Sequence, residues 1–227
     1  MAEHPGEVGE ITGTSRCLVL NLGNITDIRM EAMQISAKRA VEKGIPVVVD
    51  MVGIACSHLR RSFVLKLIDE ICPTVLKGNY SEICALHRSD YSSSGVDADN
   101  VPDRYNMSKI AAQLAHRYKC IILASGATDI VTDGKKLFYI TNGTPRLTSV
   151  TGTGCMLGVL CGCCMSVAND IRGAVTACHI MGICGALAAT DKGNGTFMTN
   201  LIDCLSVISD SDIDKYKKVE EMHIEKF

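Results

Sequence analysis

Residues Arg16–Asp50 read RCLVLNLGNITDIRMEAMQISAKRAVEKGIPVVVD, two apolar runs of strand length on either side of a segment of helix length. Cys17–Leu22 is apolar but for Asn21, and Gly23 ends it. Asp27 is placed to cap a helix reaching Lys43, marked by apolar Ile28, Met30, Met33, Ile35, Ala37 and Ala40. Gly44-Ile45-Pro46 then stops that helix directly before Val47–Asp50. Strand, helix and strand in this order form a βαβ unit. Strands apolar on both faces belong to a parallel sheet covered by helices, so Leu18–Leu20 and Val47–Val49 are expected side by side in its middle.

Working outward, the alternation continues. Met1–Ser15 reads as a helix with Glu3, Glu7 and Glu10 on its polar side. Beyond Asp50 come a helix at Ser62–Ile71, a short strand at Thr74–Leu76, a helix at Ser81–Leu86 and a polar loop over Arg88–Asp103. A helix at Met107–Tyr118 and a strand at Cys120–Ala124 follow. Lys135–Thr148 predicts a polar hairpin turning at Asn142-Gly143. Two apolar helices, Cys155–Ala168 and Ile171–Ala189, precede a charged tail at Asp210–Phe227 that also reads as helical. The fold class is α/β, a largely parallel central sheet flanked by helices on both faces, with residues 1–227 forming one domain.

Composition narrows the function classes. With 227 residues, 47% of them hydrophobic, the chain can bury a sizeable core. Twenty-three Lys and Arg against 25 Asp and Glu leave no basic face for a nucleic acid. The most apolar run, Cys155–Ala168, is shorter than the roughly 20 residues a membrane helix requires, and no basic-then-apolar leader opens the chain. A cytoplasmic protein with no membrane partner is expected. Twelve cysteines, mostly within apolar segments such as those holding Cys17, Cys72, Cys84, Cys120, Cys161, Cys163, Cys164, Cys178 and Cys184, read as thiols serving as small hydrophobes. Cys161-Gly162-Cys163-Cys164 lacks the second ligand pair a zinc site needs. The six histidines are scattered, without an i, i+4 pair, and receive no role.

Val150-Thr151-Gly152-Thr153-Gly154-Cys155-Met156-Leu157 carries the strongest chemical signal. Glycines let a backbone turn with its N–H groups exposed, and the helix opening near Cys155 adds unpaired N–H groups and the positive end of its dipole. A negatively charged group fits there; the plain alternative is a Gly-rich loop ahead of a buried helix. Residues directly after the strands, where an α/β sheet places its ligand crevice, are Asn21–Gly23, Asp50, Lys77–Asn79 with Glu82, and Ser125-Gly126 with Asp129. A cation, acids and small polar groups are what phosphoryl transfer with Mg²⁺ uses.

In this order and at these intervals, Val49-Asp50-x-Val52-Gly53, Thr74-Val-Leu-Lys-Gly-Asn-x-x-Glu82, Ala124-Ser125-Gly126 and Val150–Leu157 resemble hydroxyethylthiazole kinases of the ribokinase-like superfamily. Gly193-Asn-Gly-Thr-Phe197 resembles that family's Gly-Pro-Gly-Ser/Thr-Phe segment. The resemblance implies a ribokinase-like fold and phosphorylation of the hydroxyl of 4-methyl-5-(2-hydroxyethyl)thiazole in thiamine biosynthesis and salvage. It implies ATP as donor, Mg²⁺ as cofactor and a homotrimer as assembly. Position by position, it makes Lys77 and Ser125 contacts to ATP, and Met1 and Gly152 contacts to the thiazole alcohol. Asp50 and Glu82 would hold Mg²⁺ through water, and Cys155 would be the catalytic base. Lys77 stands where the family has Arg or Lys, Ser125 where it has Thr; Lys offers phosphate a point charge without the guanidinium fork.

Two departures bear on function. Typical members carry a further segment before the part matching Met1, supplying a first strand and Asn/Thr positions that grip the thiazole. The loop after Asp50 reads Met-Val-Gly-Ile-Ala-Cys-Ser in place of Pro-Val-Gly-x-Gly-Ala-Thr. They keep two alternatives open: a truncated, weakly active or inactive member that binds nucleotide or oligomerises, and a kinase of another small alcohol such as a hydroxymethylpyrimidine.

Overall fold

The computed structural model describes residues 2–88 and 102–224. Helix α1 (Pro5–Gly13) leads into a repeated alternation: β1 (Leu18–Asn21), α2 (Asp27–Lys43), β2 (Val47–Asp50), α3 (His58–Ile71), β3 (Val75–Asn79), α4 (Tyr80–His87), α5 (Arg104–Tyr118) and β4 (Ile121–Ser125). Then come β5 (Asp129–Thr132), β6 (Lys136–Ile140), a 3₁₀ turn (Pro145–Ser149), α6 (Thr153–Met165), α7 (Ile171–Leu187), α8 (Asn194–Val207), α9 (Asp210–Tyr216) and β7 (Val219–His223). The sheet has seven strands in chain order, β1 to β7. Pairings from β1 to β4 are parallel and those from β4 to β7 antiparallel. The α/β architecture forms as expected, its parallel half extended by an antiparallel one.

Side-chain alternation divides the core in two. Val47, Val49, Leu76 and Ile122 face Ala37 and Ala40 of α2, Val64 and Leu67 of α3, Ile83 of α4 and Met107 of α5. Val48, Val75, Ile121 and Leu123 face the opposite way, onto Leu157 and Cys161 of α6, Ala174 and Cys178 of α7, and Phe197 of α8. Both faces of the parallel strands are covered, which is why they carry no polar alternate face.

Local chemistry sets the boundaries. Thr26, not Asp27, caps α2, its hydroxyl accepting from Arg29 N at 3.2 Å, and Asp27 becomes the acid of the first turn. Gly44 ends α2 in the left-handed conformation, φ +64°. α3 begins four residues before its expected start because Ser57 caps it.

Three expectations need correcting. Leu18–Leu20 do lie beside Val47–Val49, but at the edge of the sheet: each crossover adds the next strand on the same side, and none winds back past β1. The hairpin turns at Asp133–Lys135, where Asp133 Oδ1 accepts from Lys135 N and Lys136 N, each at 2.8 Å, and Gly134 adopts φ +85°. Asn142 instead anchors the C-terminal segment, its amide donating to Tyr216 O and accepting from Lys218 N, both at 2.8 Å. The tail is accordingly a short helix and an edge strand. β7 is exposed throughout, and its charge reflects pairing, with Glu221 on Lys136 at 3.0 Å and Glu220 on Arg104. The loop expected over Arg88–Asp103 lies mostly outside the described residues.

α6 packs onto the parallel strands through Gly154, Gly158 and Gly162, spaced four apart on one helix face. A β-carbon on Gly158 would stand 2.8 Å from Asp50 Oδ2, and one on Gly162 would overlap Val19 Cγ2. Gly162→Ala is therefore expected to lower stability by about 1–3 kcal/mol in urea denaturation. Adding Val19→Ala, which removes the overlapping methyl, should recover part of that loss; a strictly additive pair would refute the contact.

Candidate active site

Strand parity assembles the polar centre. Asn21 lies opposite Asp50, and Asp50 opposite Lys77, at the carboxyl ends of β1, β2 and β3. All three follow residues that face away from α6, Leu20, Val49 and Leu76, so by alternation their side chains meet beneath that helix. Asn21 Nδ2 donates to Asp50 Oδ2 at 2.9 Å, and Lys77 Nζ donates to Asp50 Oδ1 at 2.8 Å. Lys77 Nζ also donates to Gly154 O at 2.8 Å, linking β3 to the first turn of α6. Asp50 is 0% exposed and Lys77 3%, so the ion pair is dry. Burial pushes the Asp50 carboxyl above its ordinary range, against the opposing pull of the Lys77 charge.

Above this row, the segment before α6 is fixed by Thr153, whose hydroxyl donates to Leu147 O at 2.7 Å. Gly152 is the N-cap with φ +100°, a conformation glycine adopts without penalty. No side chain caps α6, so its first N–H groups are left to another acceptor. α8 likewise opens at Gly193 without a side-chain cap, and Asn194 Nδ2 ties it to Ser149 O at 3.0 Å. Every other described α-helix has a side-chain cap. Two uncapped helix starts thus flank one 3₁₀ turn.

The expected site residues fall in different relations to this centre. Asp50, Lys77 and Gly154 are in direct contact, and Cys155 is the next residue of α6, its Sγ 3.9 Å from where a β-carbon of Gly23 would stand. Lys77, expected on ATP, is held in the buried ion pair. Gly154 needs no special backbone, since it lies within α6, and the left-handed φ belongs to Gly152. Glu82 is engaged at both oxygens, Oε1 accepting from Gly53 N and Oε2 from Asn79 N, each at 2.7 Å. Burial raises its pKa. Ser125 ends β4 opposite Asn79, its hydroxyl 3.4 Å from Gly78 O. Met1 lies outside the described residues.

The Ser125–Asp129 turn is braced from two sides. Tyr80 Oη donates to Thr128 O at 2.6 Å, and Asp129 Oδ1 accepts from Gly126 N at 3.0 Å. Burial raises the Asp129 pKa to about 7, partly opposed by the Gly126 N–H, the Cys178 thiol and Lys77. Sequence reasoning missed Arg60, Gly158 and Tyr80 altogether; the four-residue glycine spacing on α6 was the available signal for Gly158.

The donor set suits a metal only through water. All four carboxylate oxygens of Asp50 and Glu82 already accept N–H donors. Among the described residues, no cluster of three or more His, Cys, Asp and Glu could hold an ion. All twelve cysteines are free thiols; Cys72 and Cys163, expected inside, are exposed, the first at the end of α3 and the second on the outer face of α6.

Two outcomes follow. Lys77→Met should cost about 3–5 kcal/mol in denaturant, because it strands a buried carboxylate, and Lys77→Met with Asp50→Asn should be milder than the single change. Folding raises the Asp129 pKa, so its contribution favours the folded state at low pH and is lost as pH rises through about 7. The melting temperature of Asp129→Asn relative to wild type should therefore increase between pH 5 and pH 8; an offset independent of pH would contradict the assignment.

Comparison with known proteins bears on family and fold. The model of the hydroxyethylthiazole kinase family matches residues 1–211. Hydroxyethylthiazole kinase 2 of Clostridium botulinum strain 657 is 42% identical over 220 residues, covering 95% of this chain and 83% of that protein. The solved hydroxyethylthiazole kinase of Pyrococcus horikoshii OT3 superposes with a TM-score of 0.89 at 28% identity, covering 98% of this chain and 84% of that one. Adenosine kinase of Sinorhizobium meliloti, at TM-score 0.57 and 16% identity over 79% of this chain and 53% of that one, is similar in fold alone. No helix among the described residues is long and apolar enough to cross a membrane.

Proposed function

The chain belongs to the hydroxyethylthiazole kinase family, and from that premise we propose that it transfers the γ-phosphoryl group of ATP to the alcohol of 4-methyl-5-(2-hydroxyethyl)thiazole in thiamine biosynthesis and salvage. It does so as one kinase domain over residues 1–227, in the cytoplasm. The observation that carries this reading is the bond from Lys77 to both Asp50 and the Gly154 carbonyl, which seats an uncapped helix start over the strand ends.

Phosphoryl transfer asks a protein mainly for position and charge. The unpaired N–H groups after Gly152 receive phosphoryl oxygens, with the helix dipole adding to their pull. The alcohol oxygen bonds to the γ-phosphorus as the bond to the β,γ-bridging oxygen breaks, and the alcohol proton passes to Cys155 Sγ. Ser125 gives its hydroxyl and Lys77 its charge to ATP, while Gly152 and Met1 border the thiazole. Asp50 and Glu82 would hold Mg²⁺ through water, and the ion would supply charge neutralisation on the phosphates.

The assembly in this reading is a homotrimer. α6 contains no charged residue, yet Val159 is 51% exposed on it, and a second copy would cover that apolar surface. A monomer mass at micromolar protein in solution would overturn it.

Purified protein with ATP, Mg²⁺ and the thiazole alcohol should yield thiazole phosphate, detected by mass. Ser125→Ala should raise the KM for ATP by roughly fivefold, the worth of one hydrogen bond. Cys155→Ala should lower kcat by about 10²–10⁴ if the thiol is the base. Turnover of a hydroxymethylpyrimidine alone would replace the acceptor while keeping the reaction class; nucleotide binding without transfer to any alcohol would leave a binding-only member.

A further inference from the structure

Arg60 stands in the first turn of α3 and reaches over the carboxyl ends of β1 and β2. Its guanidinium binds three backbone carbonyls: Nη1 donates to Leu22 O and to Val52 O, the latter at 3.1 Å, and Nη2 donates to Gly23 O at 3.4 Å. Arg29, Arg39, Arg104 and Arg172 each pair with a carboxylate, whereas among the described residues Arg60 has none within ion-pair distance. A planar fork spread over three carbonyls from two loops is a joint, holding the β1–α2 turn and the β2–α3 loop at one spacing.

Gly23 is the residue that gives this joint a chemical consequence. Its N–H donates to Asn21 Oδ1 at 2.8 Å while its carbonyl accepts from Arg60, so the peptides on both sides of the residue are held. A β-carbon on Gly23 would stand 2.8 Å from Asn21 Oδ1 and 3.9 Å from Cys155 Sγ. The turn therefore forms a wall beside that thiol, and Gly53, whose own β-carbon would come within 3.1 Å of Arg60 Nη1, leaves the guanidinium its place.

We propose that Arg60 is a positioning residue for the acceptor alcohol, fixing the Leu22–Gly23 turn against Cys155 so that the hydroxyl is presented to the transferring phosphoryl group. This rests on the reading of Cys155 as the group facing that hydroxyl. ATP lies on the Ser125 side in the same reading, so its binding is independent of the turn.

The test compares wild type with Arg60→Met, Arg60→Lys and Gly23→Ala, the last displacing the same turn from the Asn21 side without touching Arg60. Steady-state kinetics gives KM for each substrate, calorimetric titration gives the dissociation constant of the thiazole alcohol alone, and urea midpoints report folding. Arg60→Met and Gly23→Ala should each weaken the alcohol by roughly tenfold or more, by KM and by calorimetry, with the KM for ATP within about twofold of wild type. Arg60→Lys, able to reach some of the carbonyls, should fall between. Unchanged alcohol binding per folded molecule, or equal loss for both substrates, overturns the proposal and makes Arg60 a structural brace only. Wild-type protein that binds no thiazole alcohol overturns the acceptor assignment itself, and this inference with it, and is told apart because the failure then precedes any substitution.

Discussion

A dry ion pair between Asp50 and Lys77 governs how the two halves of the site meet. Neither charge has water to solvate it, so each must find its full complement of partners within the protein. Asn21 satisfies the remaining carboxylate oxygen, and the Gly154 carbonyl takes a second ammonium proton. The helix can come close enough only because Gly158 leaves the space beside Asp50 open. Close approach of backbone, rather than side-chain packing, is what sets α6 on the sheet, and the N-terminal turn of that helix inherits its position from the pair.

The same constraint ties down the Val150–Leu157 segment where an exposed glycine loop would ordinarily be loose. Thr153 ties it back to Leu147, and Lys77 holds the next residue, Gly154. Just before both ties, Gly152 supplies the left-handed residue the turn requires. Donors that are already oriented need not be ordered when a phosphoryl group arrives, which is the source of their catalytic value.

Much of this was legible in the residues. The βαβ reading of Arg16–Asp50 held because apolar runs bounded by Gly23 and Gly44 admit few alternatives, and strand parity alone would have put Asn21, Asp50 and Lys77 in one row. What was not legible came from long-range geometry. Position in the sheet depends on whether any later strand crosses back past β1, and no property of Leu18–Asn21 reports that. Val219–His223 carries two adjacent acids, Glu220 and Glu221, which suit a solvated helix as well as an edge strand, and their partners, Arg104 and Lys136, are far away in sequence. Arg60 received no reading because its acceptors are backbone carbonyls, which leave no trace in a sequence. Glu82 was read as a metal holder; its bond to Asn79 is a local capping box, but its bond to Gly53 depends on how two loops meet.

Because strand order in the sheet follows the order of the chain, each of the first six strands finds its partner already synthesised and nearby. Loop closure for those pairings spans a helix or two at most, so the sheet can grow from its N-terminal edge without threading. β7 is the exception: it pairs with β6 only after α6 to α9 have intervened, Ile140 meeting Val219 across that gap. During synthesis the outer edge of β6 must therefore wait unpaired while those helices are made. Docking of the C-terminal strand is then the late event of folding, and it covers the β6 edge with a short charged strand that suits a neighbouring chain poorly.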